Sequence, residues 1–289
     1  MGLVGVGATL ASGGTVRSAV LASIGAVRAR GPGAFLAFGV AAALALGLGL
    51  GIPSKPGVGL AGRRLSIIGG RNGRQPIFNE DGTKAIVMNG EVYNYRDLQR
   101  GLRSRGHALA SQGDIETVVH LYEERGADAV RELRGMFALA LWDAEARTLL
   151  LARDRFGMKP LYVVTGPWGI AFASELKALH DVGLTGGGLD LQALDAYLRL
   201  GYVPAPMTPF EGVRKLEPGH SLLWSEAGEP VERRYWDLRV DGDVAVAGDL
   251  AEHVRGAIDE SVQAHLVSDV PLAVFLSGGL DSSAVASNM

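Results

Sequence analysis

Two adjacent glycines set among hydroxyl and carboxylate side chains, Ser277-Gly278-Gly279-Leu280-Asp281-Ser282-Ser283, constrain this chain more than any other run. The glycines let the backbone turn tightly and aim N–H groups at one point. The Asp and Ser residues after them suit the first turn of a helix, whose positive end attracts an anion. Ahead of the loop the apolar residues 271–276 read as a buried strand. Before them Leu250, Val254, Ile258, Val262 and Leu266 recur every fourth residue, as on one face of a helix. Taken alone, Gly-Gly and serines also make plain turns. The order helix, strand, glycine loop, helix start decides for an α/β phosphate loop. No lysine follows the glycines, so this is not a Walker A loop.

The 289 residues suit two domains, and 47% apolar content is enough to fill a core. A formal net charge of −3 offers no basic surface for nucleic acid. The cysteine count of 0 excludes disulfides, thiolate metal sites and a cysteine nucleophile in these residues. The 6 histidines show no metal-ligand spacing and read as structural. Residues 35–52 are uncharged and mostly apolar, reaching the lower length limit of a membrane span, with Arg28 and Arg30 before them and Lys55 after. Their glycines favour a Gly/Ala-rich insertion on a soluble, cytoplasmic domain over a signal anchor.

From about residue 63 the texture is that of short strands and a few helices. Residues 84–88 read as a strand broken by Asn89-Gly90, and residues 95–105 as a charged helix. Asp114 suits the N-cap of a second helix in which Ile115, Val118, Val119 and Tyr122 share a face. Strands are expected at 136–142, 148–153, 161–164, 169–173 and 220–224, close enough in sequence for antiparallel hairpins, with another helix at 191–200. Residues 225–230 read as turn-rich, and a boundary falls within 225–247. The units expected are 1–230 and 248–289.

Several runs, in this order, resemble the glutamine-hydrolysing asparagine synthases. They are Arg63-Arg-Leu-Ser-Ile-Ile68, Gln75-Pro76, Asn79-Glu-Asp-Gly82, Asn89-Gly-Glu-Val-Tyr-Asn94, Leu133-Arg-Gly-Met-Phe-Ala138, Leu151-Ala-Arg-Asp-Arg-Phe-Gly-Met-Lys-Pro-Leu-Tyr162, Ala173-Ser-Glu-Leu-Lys-Ala178, Lys215-Leu-Glu-Pro-Gly-His220 and the glycine loop. The resemblance implies an α+β fold: a four-layer αββα class II glutamine amidotransferase domain of the Ntn-hydrolase type, followed by the first part of an α/β ATP pyrophosphatase domain. It implies that the Asn89 side chain and Gly90 N–H form an oxyanion hole, and that Arg64, Glu91 and Asp114 bind the ammonium and carboxylate of glutamine. Ser277, Gly278, Gly279, Asp281 and Ser282 would hold the pyrophosphate of ATP, with Mg²⁺ near Asp281. The implied reaction is ATP-dependent amidation of aspartate with ammonia from glutamine, and homodimers are common in the resembled family. Singly, these residues have plainer readings: Asn89-Gly90 a hairpin turn, Asp114 a helix cap, Arg64 and Glu91 solvated charges.

Members of the resembled family begin Met-Cys-Gly, and the freed cysteine attacks the amide. This chain begins Met1-Gly2-Leu3-Val4-Gly5-Val6, and ends at Met289 just after the glycine loop. Loss of such a nucleophile costs on the order of a million-fold in rate. The expectation is therefore a chain that does not hydrolyse glutamine as it stands. The alternatives are a non-catalytic glutamine-binding module, or an enzyme similar to β-lactam synthetases, which lack the cysteine; the retained glutamine clamp speaks against the second.

Overall fold

Apolar side chains on both faces of residues 135–153 make strands that have to be covered twice, and that requirement sets the layers. The computed structural model describes residues 37–38, 58–60, 75–166, 169–181, 183–226, 228–240 and 248–289. Arg64 and all of the apolar stretch 35–52 except residues 37–38 lie outside them.

Short strands β1 (Ala37–Phe38) and β2 (Val58–Gly59) pair in parallel. The principal sheet is six-stranded and antiparallel, in the order β11-β10-β6-β5-β4-β3. It comprises β3 (Ile77–Phe78), β4 (Lys84–Val92), β5 (Gly135–Asp143), β6 (Thr148–Arg153), β10 (His220–Ser225) and β11 (Gly228–Arg234). A second antiparallel sheet, β8-β7-β9, contains β7 (Tyr162–Gly166), β8 (Gly169–Ala173) and β9 (Arg214–Lys215). The helices are α1 (Tyr95–Ser104), α2 (Asp114–Arg125), α3 (Leu176–Asp181), α4 (Leu191–Leu200), α5 (Leu250–His265) and α6 (Leu280–Ser287).

Strand alternation sorts the core into two halves. Ile86, Met88, Leu139, Leu141 and Leu150 face α2, where Ile115, Val118, Val119 and Leu121 meet them. Their neighbours Val87, Ala138, Ala140, Trp142, Leu149 and Leu151 face the second sheet and pack on Val163, Ile170 and Phe172. Ala171 and Ala173 are buried too, and α3 packs against β8. The layers run helix, sheet, sheet, helix: an α+β fold of the αββα kind.

Four expectations need correction. Asn89-Gly90 does not end its strand, because β4 runs on to Val92, paired with β5 throughout. The stretch read as turn-rich holds a turn at Glu226, but its last three residues open β11, an exposed edge strand recruited by β10; Pro230 is tolerated there because an edge strand has a side without ladder bonds. Residues 271–276 form no strand: no described residue pairs with them, Phe275 is 85% exposed, and an extended apolar segment becomes a strand only when a neighbour takes its backbone groups. Asp114 is not a cap, since the N-cap of α2 is Gly113. Among the described residues no helix is long and apolar enough to cross a membrane.

Candidate functional site

The end of β4 is held close to β5 by two glycines on facing strands. Gly90 has φ +139°, and a Cβ there would stand 1.9 Å from the Met136 carbonyl oxygen. A Cβ on Gly135 would stand 2.1 Å from the Glu91 carbonyl oxygen. The two backbones therefore press together where Asn89-Gly90-Glu91 lies, and side chains on either strand would force them apart. Asn94 clamps the entry to β5, its Nδ2 donating to Glu132 O at 2.9 Å and its Oδ1 accepting from Arg134 N–H at 2.9 Å.

The outer edge of β4 is sealed by side chains where β3 gives out. Gln75, 6% exposed, donates from Nε2 to Met88 O at 2.8 Å and accepts at Oε1 from Met88 N–H at 2.7 Å, as a neighbouring strand would. Two pairs on, Val92 N–H donates to Asp114 Oδ2 at 3.0 Å. Antiparallel ladders alternate, so the main-chain groups of Met88, Gly90 and Val92 point to the same edge. Gly90 sits between the residue closed by Gln75 and the one held by Asp114.

Asp114 is 1% exposed in the first turn of α2. The positive helix end favours its carboxylate there. Glu91 is half-buried. The Tyr93 phenol is pushed far above the usual tyrosine range by burial and then by the charges of Glu91 and Asp154, so it stays protonated. Asp114 thus reaches the end of the strand that carries Asn89, Gly90 and Glu91.

The Arg153-Asp154 pair is legible in the sequence as part of a long matching run, and here both side chains bind backbone. Asp154, 1% exposed, accepts from the N–H groups of Phe137 (3.2 Å), Phe156 (3.1 Å), Met158 (2.9 Å) and Lys159 (3.0 Å). Arg153 donates to the carbonyls of Gly157, Lys159 and Leu216. The pair shapes the loop between the two sheets, and the Asp154 carboxylate, with four N–H donors on it, is fully used by backbone.

The glycine loop lies elsewhere in the chain and opens a helix, without the strand expected ahead of it. Gly278 has φ +80° and Gly279 is the N-cap of α6. Ser277 Oγ and Ser282 Oγ are 2.9 Å apart, and Ser282 Oγ donates to Gly279 O at 3.1 Å. Residues 277–282 are exposed or nearly so, and Asp281 stands in the first turn of the helix.

The family model described as glutamine amidotransferase domain matches residues 49–236, and that described as asparagine synthase matches residues 253–289. Asparagine synthetase [glutamine-hydrolyzing] 1 of Bacillus subtilis is 39% identical over 230 residues, which is 80% of this chain and 36% of the relative. Asparagine synthetase [glutamine-hydrolyzing] 3 of the same organism is 37% identical over 227 residues, 77% of this chain and 37% of the relative. The chain therefore spans 36–37% of the length of these curated relatives. A solved glutamine phosphoribosylpyrophosphate amidotransferase from B. subtilis overlaps 56% of this chain and 32% of its own at a TM-score of 0.42 and 21% identity, which adds nothing to the layer order already described.

Proposed function

The chain belongs to the glutamine amidotransferase domain family, and from that premise we propose that the end of β4 is a glutamine site within an asparagine-forming ligase. In this reading the amide carbonyl of glutamine receives hydrogen bonds from the Asn89 side chain and the Gly90 N–H. Such donors gain most when negative charge develops on the carbonyl oxygen. Glu91 and Asp114 hold the ammonium group, and Arg64 the carboxylate. The observation that carries the reading is the β4 edge: Gln75 closes it at Met88, Asp114 holds it at Val92, and alternation aims Gly90 N–H into the interval.

The second unit, 248–289, contributes the start of an ATP site. Ser277, Gly278, Gly279, Asp281 and Ser282 would hold pyrophosphate at the N-terminus of α6, and Asp281 would help to place Mg²⁺. When bound, ATP and Mg²⁺ supply activation of a carboxylate toward attack by ammonia. The whole reaction would be ATP-dependent amidation of aspartate with glutamine as nitrogen donor, in the cytoplasm, by an enzyme that forms homodimers. The relatives' names support this reading, as do the two family matches in their order.

One observation favours a second reading. The 289 residues contain 0 cysteines and so bring no thiol to the amide carbon. By themselves these residues would bind glutamine without splitting it, as a sensor or regulatory module would. Calorimetric titration of L-glutamine into the 289-residue chain, with glutamate measured in parallel, tests both readings. The expected result is binding at about the micromolar level with no glutamate released. Asp114→Asn, which can still accept from Val92 N–H, should weaken binding about tenfold or more by removing the charge. No binding at millimolar glutamine would sink the site; glutamate release would sink the non-hydrolytic reading.

A further inference from the structure

We propose that Glu80, His107 and His120 form a binding site for one divalent cation of the zinc type, with Glu123 beside it as an additional donor. Glu80 comes from the turn between β3 and β4, His107 from the loop between α1 and α2, and His120 from the middle of α2. One donor atom from each lies within 4.8 Å of the other two. His120 Nδ1 is 3.4 Å from Glu80 Oε2. Glu123, one turn along α2 from His120, places Oε2 3.0 Å from His120 Nδ1 and 3.4 Å from His107 Nδ1. Four ligands at about 2.0–2.1 Å around a tetrahedral ion stand about 3.3–3.4 Å from one another. Three of the separations, 3.0, 3.4 and 3.4 Å, are of that size, and the remaining donors lie within 4.8 Å.

The orientation of the two rings carries the inference further. Both turn Nδ1 toward the carboxylates of the cluster and Nε2 toward a different carboxylate. His107 Nε2 is 3.1 Å from Glu124 Oε1. His120 Nε2 is 3.7 Å from Glu116 Oε1 and, though buried, has no hydrogen-bond partner. A histidine that ligates a metal through one nitrogen directs its other N–H to a carboxylate or carbonyl, which fixes the tautomer. Glu116 is itself fixed, accepting from the Ala110 and Ser111 N–H groups at 2.6 Å each and from the Ser111 hydroxyl.

The charge count agrees. Glu80 and Glu123 both approach the single Nδ1 of His120, a side chain 1% exposed, and one N–H cannot serve two carboxylates well. A dication among the four groups satisfies both. Imidazole and carboxylate donors without thiolate suit Zn²⁺ better than Ca²⁺ or Mg²⁺, which prefer oxygen alone. The bound ion would tie the β3–β4 turn and the α1–α2 loop to α2, the helix that begins with Asp114.

Untagged chain, stripped with a chelator, should be titrated with Zn²⁺ by calorimetry, and its unfolding midpoint recorded with and without the ion. We expect one Zn²⁺ per chain and a raised midpoint. Glu80→Gln and His107→Gln should each weaken binding by more than the 10–100-fold that loss of an outer partner costs. His220→Asn, in the other His/Glu group formed by Glu217, His220 and Glu232, should leave it unchanged. Glu80 is exposed, so Glu80→Gln removes a donor without touching the core, and circular dichroism of the metal-free variant checks that it folds. No uptake of Zn²⁺, uptake that survives both substitutions, or uptake lost with His220→Asn would each overturn the site.

Discussion

Gly90 shows how one missing side chain can position others. Its φ of +139° and the Met136 carbonyl 1.9 Å from a built Cβ are separate obstacles to any other residue. Backbone strain costs about 1–3 kcal/mol, and overpacking in a tight core typically another 1–3 kcal/mol. Gly90→Ala should therefore lower unfolding stability by about 3 kcal/mol or more in urea titration, and should lose glutamine binding with it. Gly82 is the fair comparison: φ is +72° but nothing lies within 4 Å of its Cβ, so Gly82→Ala should cost only about 1 kcal/mol. If the two variants were equally stable, close approach of β4 to β5 would not be what requires glycine at Gly90. Asn89-Gly90 was readable as a special backbone position from the sequence. Which kind was not, because a hairpin turn and a strand pressed close to its neighbour ask for the same two residues, and only the facing strand distinguishes them.

At the level of elements, the length of β3 decides whether β4 offers an open edge. β3 is two residues long, and a side chain replaces it at Met88. Removing the Gln75 amide would leave the buried Met88 N–H and C=O without partners, at about 1–3 kcal/mol for each group left unsatisfied. Gln75→Ala should destabilise the chain by about 2–6 kcal/mol, and hydrogen exchange should show the Met88 amide losing protection while amides of β6 keep theirs. Unchanged protection at Met88 would mean that water or a neighbouring segment closes the edge instead. The same scale explains why the histidine cluster escaped detection in sequence. His107 and His120 match no ligand spacing, since the third donor, Glu80, arrives from a turn that precedes α1, and a motif read along one segment cannot include it.

For the whole molecule, the join between the amidotransferase layers and the residues that follow rests on contacts of α5 and of Val267 just beyond it, which packs against the core on the α2 side of the principal sheet. Val262 is 8% exposed, the rings of Tyr93 and His265 lie 4.3 Å apart between centroids, and Arg134 pairs with Glu260. The ion pair is solvent-exposed and contributes about 0–1 kcal/mol, so the apolar contacts, Val267 and the buried Val262, and the ring contact dominate. Val262→Asp should release α5: amides of Leu250–His265 should exchange at least about tenfold faster, with β5 unaffected. Equal exchange would mean that α5 is stable without this docking. The sequence by itself determined the short apolar strands, the helices α2 and α5, the glycine loop before α6 and the order of runs that marks the family, because each is written in local spacing and backbone freedom. Tertiary structure alone decided that β4 continues through Gly90, that residues 228–234 form an edge strand, that residues 271–276 remain unpaired among the described residues, and that Asp114 binds a strand rather than caps its helix. Each of those outcomes depends on which backbone groups a distant segment satisfies, and a partner far along the chain leaves no trace in the residues it pairs with.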